Sequence, residues 1–243
     1  MLADSEHRRR SALRRLVVAG ALLAVTATGI GAAVLWASDS STPTAATGTP
    51  SSGGHGAAPP PTDATPLGGG LPVPARVEQG IPVGYPHTPA GAVSAAAHYT
   101  EARDLLSPHR VVEQMSVMAR HTAQDLGGLS GTGIADARDW RSRLGLDPDG
   151  EADDHSFIGV QVRGYQVREV SADQVDVWLL VVETPTVGGI AHGRGVFTVA
   201  APVAWDGDWK LIDRGLGTAP TVAEPDSAEA LSRGWTPVAY QQK

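Results

Sequence analysis

From Leu16 to Trp36 the chain reads LVVAGALLAVTATGIGAAVLW, 21 residues with no charge and nothing more polar than threonine. At ~1.5 Å of rise per residue, a helix of this length crosses a hydrocarbon core of ~30 Å. No other feature restricts the chain as much, because the segments on either side of the run then lie on opposite sides of a bilayer. Arg8, Arg9, Arg10, Arg14 and Arg15 outweigh Asp4 and Glu6 before the run, and Asp39 comes after it. The positive-inside rule therefore places residues 1–15 as a basic cytoplasmic segment and 16–36 as a transmembrane helix, with Trp36 at headgroup level. The rival reading is a cleaved signal peptide, for which Gly31 and Ala33 offer a weak small-x-small site. The apolar region of such a peptide spans only ~7–15 residues, so the retained anchor is the expectation. Gly20 with Ala24, and Ala27 with Gly31, have helix-pairing spacing, although a plain lipid-facing helix accounts for them equally.

Residues 37–79 are rich in Pro, Gly, Ser and Thr, as in STPTAATGTPSSGGHGAAPPPTDATPLGGGLPVP. With few large apolar side chains and no periodicity, the stretch cannot bury enough surface to offset the entropy of ordering it. It reads as a disordered linker, with His55 merely solvated. A flexible chain of roughly 40 residues reaches on the order of 35 Å, enough to hold a domain off the membrane.

Residues 80–243 read as one extracytoplasmic α+β domain. The whole chain has a net charge of −7 and no cysteine. Disulfides, thiolate metal sites and a cysteine nucleophile are thereby excluded. From Gly80 onward 13 basic residues face 21 acidic ones, a balance that repels phosphate backbones and argues against nucleic-acid binding.

The domain opens with IPVGYPHTPAGAVSAAAHY, from Ile81 to Tyr99. Gly80 to Tyr85 reads as an irregular arm, and Tyr85 and His87 as structural rather than ligand-binding residues. Thr88 followed by Pro89 is a cap-plus-proline helix entry. Ala92, Ala95, Ala96, Tyr99, Ala102 and Leu106 then recur at helical spacing, with Ser94, His98 and Glu101 opposite. Ser107 and Pro108 repeat the device for a second helix with Val111, Val112, Met115, Met118 and Ala119 on one side; the methionines read as core. GGLSGTG reads as a glycine-rich turn before a third helix, about Ile134 to Leu144, that buries Ala137, Trp140 and Leu144. The acidic stretch Asp147 to Asp154 alternates Asp147, Asp149 and Glu151 but lacks the closing glutamate of a calcium loop, and reads as a solvated loop.

From His155 the period changes to two. Ile158, Val160 and Val162 share a face, and beyond Gly164 the parity flips to Tyr165 and Val167, which predicts a bulge or bend at Gly164. VSADQV turns the chain into VDVWLLVVE, apolar on nearly both faces as in a central strand covered on two sides, with Pro185 ending it. GGIAHGRG reads as a loop, and Phe197, Val199, Ala201, Val203 and Trp205 as a third strand. In WDGDW, a three-residue turn sets Trp205 against Trp209 and Val203 against Leu211. A short helix near Asp226 to Arg233 and a terminal WTPVAY complete the chain.

Helices followed by antiparallel strands give the α+β order, with three helices expected on a curved antiparallel sheet. This order, with the closing AWDGDWKL hairpin, resembles the ketosteroid-isomerase/SnoaL-like cone, also called the cystatin-like fold or that of nuclear transport factor two, over roughly Gly80 to Asp213. The basic start, single span, Pro/Thr/Gly tether and VGYPHTPAGAVSAAAHY entry resemble a group of membrane-anchored actinobacterial proteins, several of which accompany conjugative or integrative elements. The layout is similar to bitopic components of type IV secretion and Gram-positive conjugation machines, which display such a domain outside the membrane as an assembly scaffold. That resemblance implies protein partners outside the membrane, with self-association among the options, and assigns no interface residue.

Isomerase-like catalysis needs a carboxylate base and a buried Tyr or protonated Asp aimed at the oxyanion. Tyr99, Asp104, Tyr165 and Asp176 are of the right types, and nothing in the sequence links them. His87, His98, His109, His121, His155 and His192 have no metal-ligand spacing, and neither GGIAHGRG nor GGLSGTG has nucleotide-binding spacing. No catalytic, metal or cofactor residue is therefore assigned, and no cofactor is expected. Three readings remain: an anchored interaction or scaffold module, a cone that binds or senses a small apolar ligand, and an isomerase-like enzyme. An open apolar cone favours the latter two; one plugged by Trp140, Trp178, Met115 or Met118 favours the first.

Overall fold

The structure, a computed structural model, describes residues 70–242. The expected span at 16–36 and most of the expected linker lie outside them, and among the described residues no helix is long and apolar enough to cross a membrane. The domain begins earlier than residue 80. Leu71 is 2% exposed within the main core, and its backbone pairs with the C-terminal segment at Tyr240. Strand β1 (Arg76–Glu78) pairs antiparallel with β2 (Ile81–Val83). The arm at Gly80 is thus a hairpin, and residues 70–79, assigned to the linker on composition, belong to the domain. Leu71 supplies the buried side chain that fixes this stretch to the domain.

Helix α1 (Pro89–Ala102) starts as expected, with the Thr88 hydroxyl accepting from the Gly91 amide. Its alanine stripe is buried as far as Tyr99, but the face expected to be polar is covered too, with Ser94 buried and His98 and Glu101 half-buried. Ser94 donates to the Pro72 carbonyl, His98 lies between the rings of Tyr85 and Tyr240, and Glu101 accepts from the Val162 amide at 2.9 Å. Leu106 lies past the helix end, fully buried in a separate cluster with Ile158.

Helix α2 (Pro108–Met118) has no side-chain cap from Ser107. Asp104 accepts the Leu106 and Ser107 amides instead, both at 3.0 Å. Val111, Met115 and Met118 are buried, whereas Val112, expected beside them, is 53% exposed. The larger correction concerns α3 (Ala123–Arg143), which contains GGLSGTG in helical conformation. Thr122 caps it by accepting from the Asp125 amide. Asp125, 2% exposed, binds Arg120 Nε at 2.7 Å and the Asp213 amide at 2.7 Å, tying the helix start to the end of the sheet. Helix propensity lost at the glycines is offset by closeness of approach. A Cβ on Gly128 would overlap the Asp213 carboxylate, and one on Gly133 would lie 2.7 Å from Val111 Cγ1.

The sheet is built on β3 (Phe157–Val170) and β4 (Gln174–Val187), which pair antiparallel throughout. The ladder skips Arg163, the bulge expected beside Gly164, and skips Arg168 in a second one. Pro185 does not end β4. It pairs with Ile158, and the strand runs on to Val187, where β5 (Ile190–Ala191) folds back on it. The third strand is split into β6 (Gly195–Ala200) and β7 (Val203–Trp205), both against β4 in one register. Pro202, which has no amide proton to give, sits in the break. Strand β8 (Trp209–Leu211) closes the predicted three-residue turn, pairing Trp205 with Trp209 and Val203 with Leu211. A short helix α4 (Ala228–Ser232), capped by Ser227, and β9 (Thr236–Pro237), paired with β3, end the described chain. The result is an α+β domain with four helices and an antiparallel sheet among the described residues.

Alternation along β4 separates two faces. Val175, Val177, Leu179 and Val181 enter the main core with α1 and α2. Trp178 and Leu180 point the other way, into a smaller cluster with Ala223, Ala230 and Trp235. The strand is therefore covered on two sides, as its composition predicts, and the second cover is the segment 214–235.

Candidate functional site

The space between helices and sheet is filled. Tyr99, Met118 and Trp209 have 0% exposure and Met115 3%, and the Tyr99 hydroxyl donates to the Trp209 carbonyl at 2.9 Å. Two of the four residues expected to plug the interior, Met115 and Met118, do so. Trp140 packs half-buried in the Leu106 cluster, and Trp178 lies on the opposite face.

The residues of catalytic type are not brought together. Asp104 holds the turn that leads into α2 and pairs with Arg110 at 3.0 Å. Tyr165 is in the main core. Asp176, on the far face of β4, is paired with Arg214 at 3.3 Å; burial pushes its carboxyl up while Arg214 opposes this. Tyr85 is 3% exposed, edge-on to Tyr99, and burial foremost raises its phenol far above the ordinary range. His87 Nε2 donates to the Ala172 carbonyl at 2.8 Å and lies 2.9 Å from Asp173, with its ring stacked 4.0 Å from Trp205. Both residues fasten the entry arm. The acidic loop is organised by Arg141, 3% exposed, which donates to the Leu106, Asp147 and Glu151 carbonyls. Among the described residues no group of three His, Cys, Asp or Glu converges to hold a metal.

Among the described residues, one strongly raised carboxyl belongs to a residue that sequence reasoning left out. Glu183 continues the helix-facing parity of β4 and is 8% exposed. Burial pushes its carboxyl up to about 7, with Arg103 opposing and Asp136 adding to the rise. Arg103 pairs with Asp136 of α3 at 3.3 Å. Asp136 is itself raised by burial, against the pull of Arg103; its side chain is 50% exposed, so solvent moderates that rise. Arg143 lies 5.6 Å over the Trp140 ring, whose edge meets Phe197. Glu183 can hold or release a proton near neutrality, but it is buried among packed side chains. Its position at the end of VDVWLLVVE, in phase with Val177 and Val181, was the available signal.

On the other face of the sheet an open groove of about 250 Å³ runs between Gln161 and Val182 on one side and Glu224 to Asp226 on the other. Arg194 binds Glu224 at 2.7 and 3.3 Å, and Arg163 binds Asp226. This groove is charged rather than apolar.

No curated protein and no solved structure matches the chain. One family model does, over residues 32–237, most of the chain. The chain belongs to the family described as Domain of unknown function (DUF8175).

Proposed function

We propose that this protein is a membrane-anchored interaction module, with residues 16–36 as a retained single span, the amino terminus in the cytoplasm and the domain displayed outside as an assembly scaffold. Its work is binding other proteins rather than catalysis. The observation that supports this most is the filled interior: Tyr99, Met115, Met118 and Trp209 occupy the space where a ligand of a cone domain would sit, which leaves the surface to act. The scattered positions of Tyr99, Asp104, Tyr165 and Asp176 favour the same reading over an isomerase. Within the α+β class, we read the fold as a cystatin-like cone, on the strength of its helices-then-strands order and closing hairpin. The layout fits an extracytoplasmic component of a conjugation or secretion apparatus.

Isolation of the protein from gently solubilised membranes tests this. Recovery with stoichiometric protein partners and no bound small molecule is expected. A co-purified small apolar molecule without a protein partner contradicts the scaffold and favours the ligand-binding reading.

A further inference from the structure

The segment 214–235 lies as a strap over the outer face of the sheet. Under it, Trp178, Leu180 and Ala200 meet Ala223, Ala230 and Trp235, with Leu216, Ala219 and Val222 packed alongside, so three of the strap's six apolar side chains in this cluster are alanines. Its fit is imperfect. Trp178 Nε1 is buried with no hydrogen-bond partner, and an unmade buried hydrogen bond is costly. A gap of about 10 Å³ beside Leu180 and Trp235 is the size of one water. At the rim, Arg194 with Glu224, Arg163 with Asp226, and Arg214 with Glu169 at 2.8 Å are pairs that stand in water. Exposed pairs of this kind hold weakly. Arg214 also reaches the buried Asp176, and the buried Thr198 and Gln166 side chains donate to the Pro220 and Arg233 carbonyls. Asp226 reaches its partner from the left-handed region, φ 60°, which aspartate tolerates better than most residues. The open groove continues from this rim.

We propose that this outer face is a docking groove for an extended acidic segment of a partner protein, and that the strap is its intramolecular occupant, displaced on binding. Glu224-Pro225-Asp226 is the template: two carboxylates, two residues apart, directed at Arg194 and Arg163. A partner supplies the same pair together with an acceptor for Trp178 Nε1, which the strap does not provide. The domain as a whole is acidic and repels such a segment elsewhere, so the two arginines fix where it lands. The inference rests on the interaction-module reading and deepens it by naming the face.

The test uses the full chain in detergent, with the strap loosened by Glu224→Gln and Asp226→Asn, and a fluorescent synthetic peptide of residues 214–235 as the probe. Because a site already occupied lowers apparent affinity, the peptide is expected to bind the loosened chain about tenfold more tightly than the unaltered one. Adding Arg163→Glu and Arg194→Glu is expected to abolish binding. No binding to the loosened chain, or equal binding after charge reversal, overturns the proposal. Hydrogen exchange on the unaltered chain gives a check that needs no variant: amides of 216–226 exchange about a hundredfold faster than those of β4, and equal protection overturns it. Protein partners cross-linked only to α2 and α3 would sink the groove and leave the interaction module standing. The absence of any protein partner would sink both.

Discussion

Asp208 joins two parts of the chain more than 120 residues apart. Its carboxylate, 4% exposed, accepts the amides of Gly84 at 2.6 Å, Tyr85 at 3.0 Å and Trp209 at 2.9 Å. Hydrogen bonds to a charged group contribute ~1.5–3 kcal/mol each, and a buried amide left unpaired costs ~1–3 kcal/mol. Asp208→Ala is therefore expected to destabilise the domain by about 3 kcal/mol in urea unfolding followed by tryptophan fluorescence, with Asp208→Asn in between. Glu183 works in the opposite sense. Its carboxyl is raised from 4.5 to about 7, so between those values the unfolded chain releases a proton that the folded one keeps. Its effect on stability is absent below pH 4.5, grows more unfavourable up to pH 7 and is constant above. A shift of this size amounts to about 3 kcal/mol, an upper bound given the exposed charges nearby. Glu183→Gln is expected to leave stability at pH 4.5 nearly unchanged and to raise it at pH 7.5; an equal change at both values contradicts the assignment. Glu183 was legible in principle from strand parity. Asp208 was legible only as a turn residue, because its partners Gly84 and Tyr85 come from the far end of the domain and no local pattern names them.

Among the elements, the hairpin at Trp205–Trp209 and the bulge beside Gly164 could be read from the sequence because period-two parity is a local constraint. Helix α3 could not, since its glycines signal a turn while its reasons for being helical lie elsewhere, in Val111 and Asp213. The glycines of α3 are therefore not equivalent. Gly131 has nothing within 4 Å of an added Cβ, whereas Gly133 meets Val111. Gly131→Ala is expected to stabilise by ~0.5–1 kcal/mol through helix propensity and unfolded-state entropy, and Gly133→Ala to destabilise by ~1 kcal/mol through overpacking. Thermal unfolding of the two variants distinguishes them; stabilisation by both would mean that α3 does not approach Val111 as described. Pro185 and Pro202 differ in a similar way. Both lack an amide proton, yet Pro185 lies within β4 and Pro202 interrupts the third strand, because the partner ladder, not the proline alone, decides where pairing stops.

At the scale of the molecule, sequence alone supplies the membrane reading and the structure supplies the filled domain. If the span is retained, washed membranes keep the full-length protein through carbonate extraction, and a soluble form beginning beyond Trp36 contradicts this. The linker boundary was misplaced because Leu71 lies among glycines and prolines with no periodic apolar pattern around it, and its burial depends on a C-terminal partner. The proposed role is that of a scaffold domain displayed outside the membrane. Cross-linking in intact cells with a membrane-impermeant reagent tests it most directly. The reagent should be carboxylate-directed, because Lys210 and Lys243 are the only lysines. Adducts between residues of 70–242 and other proteins are expected before lysis. Modification of the domain only after lysis would contradict the account, as would full modification in intact cells with no protein attached.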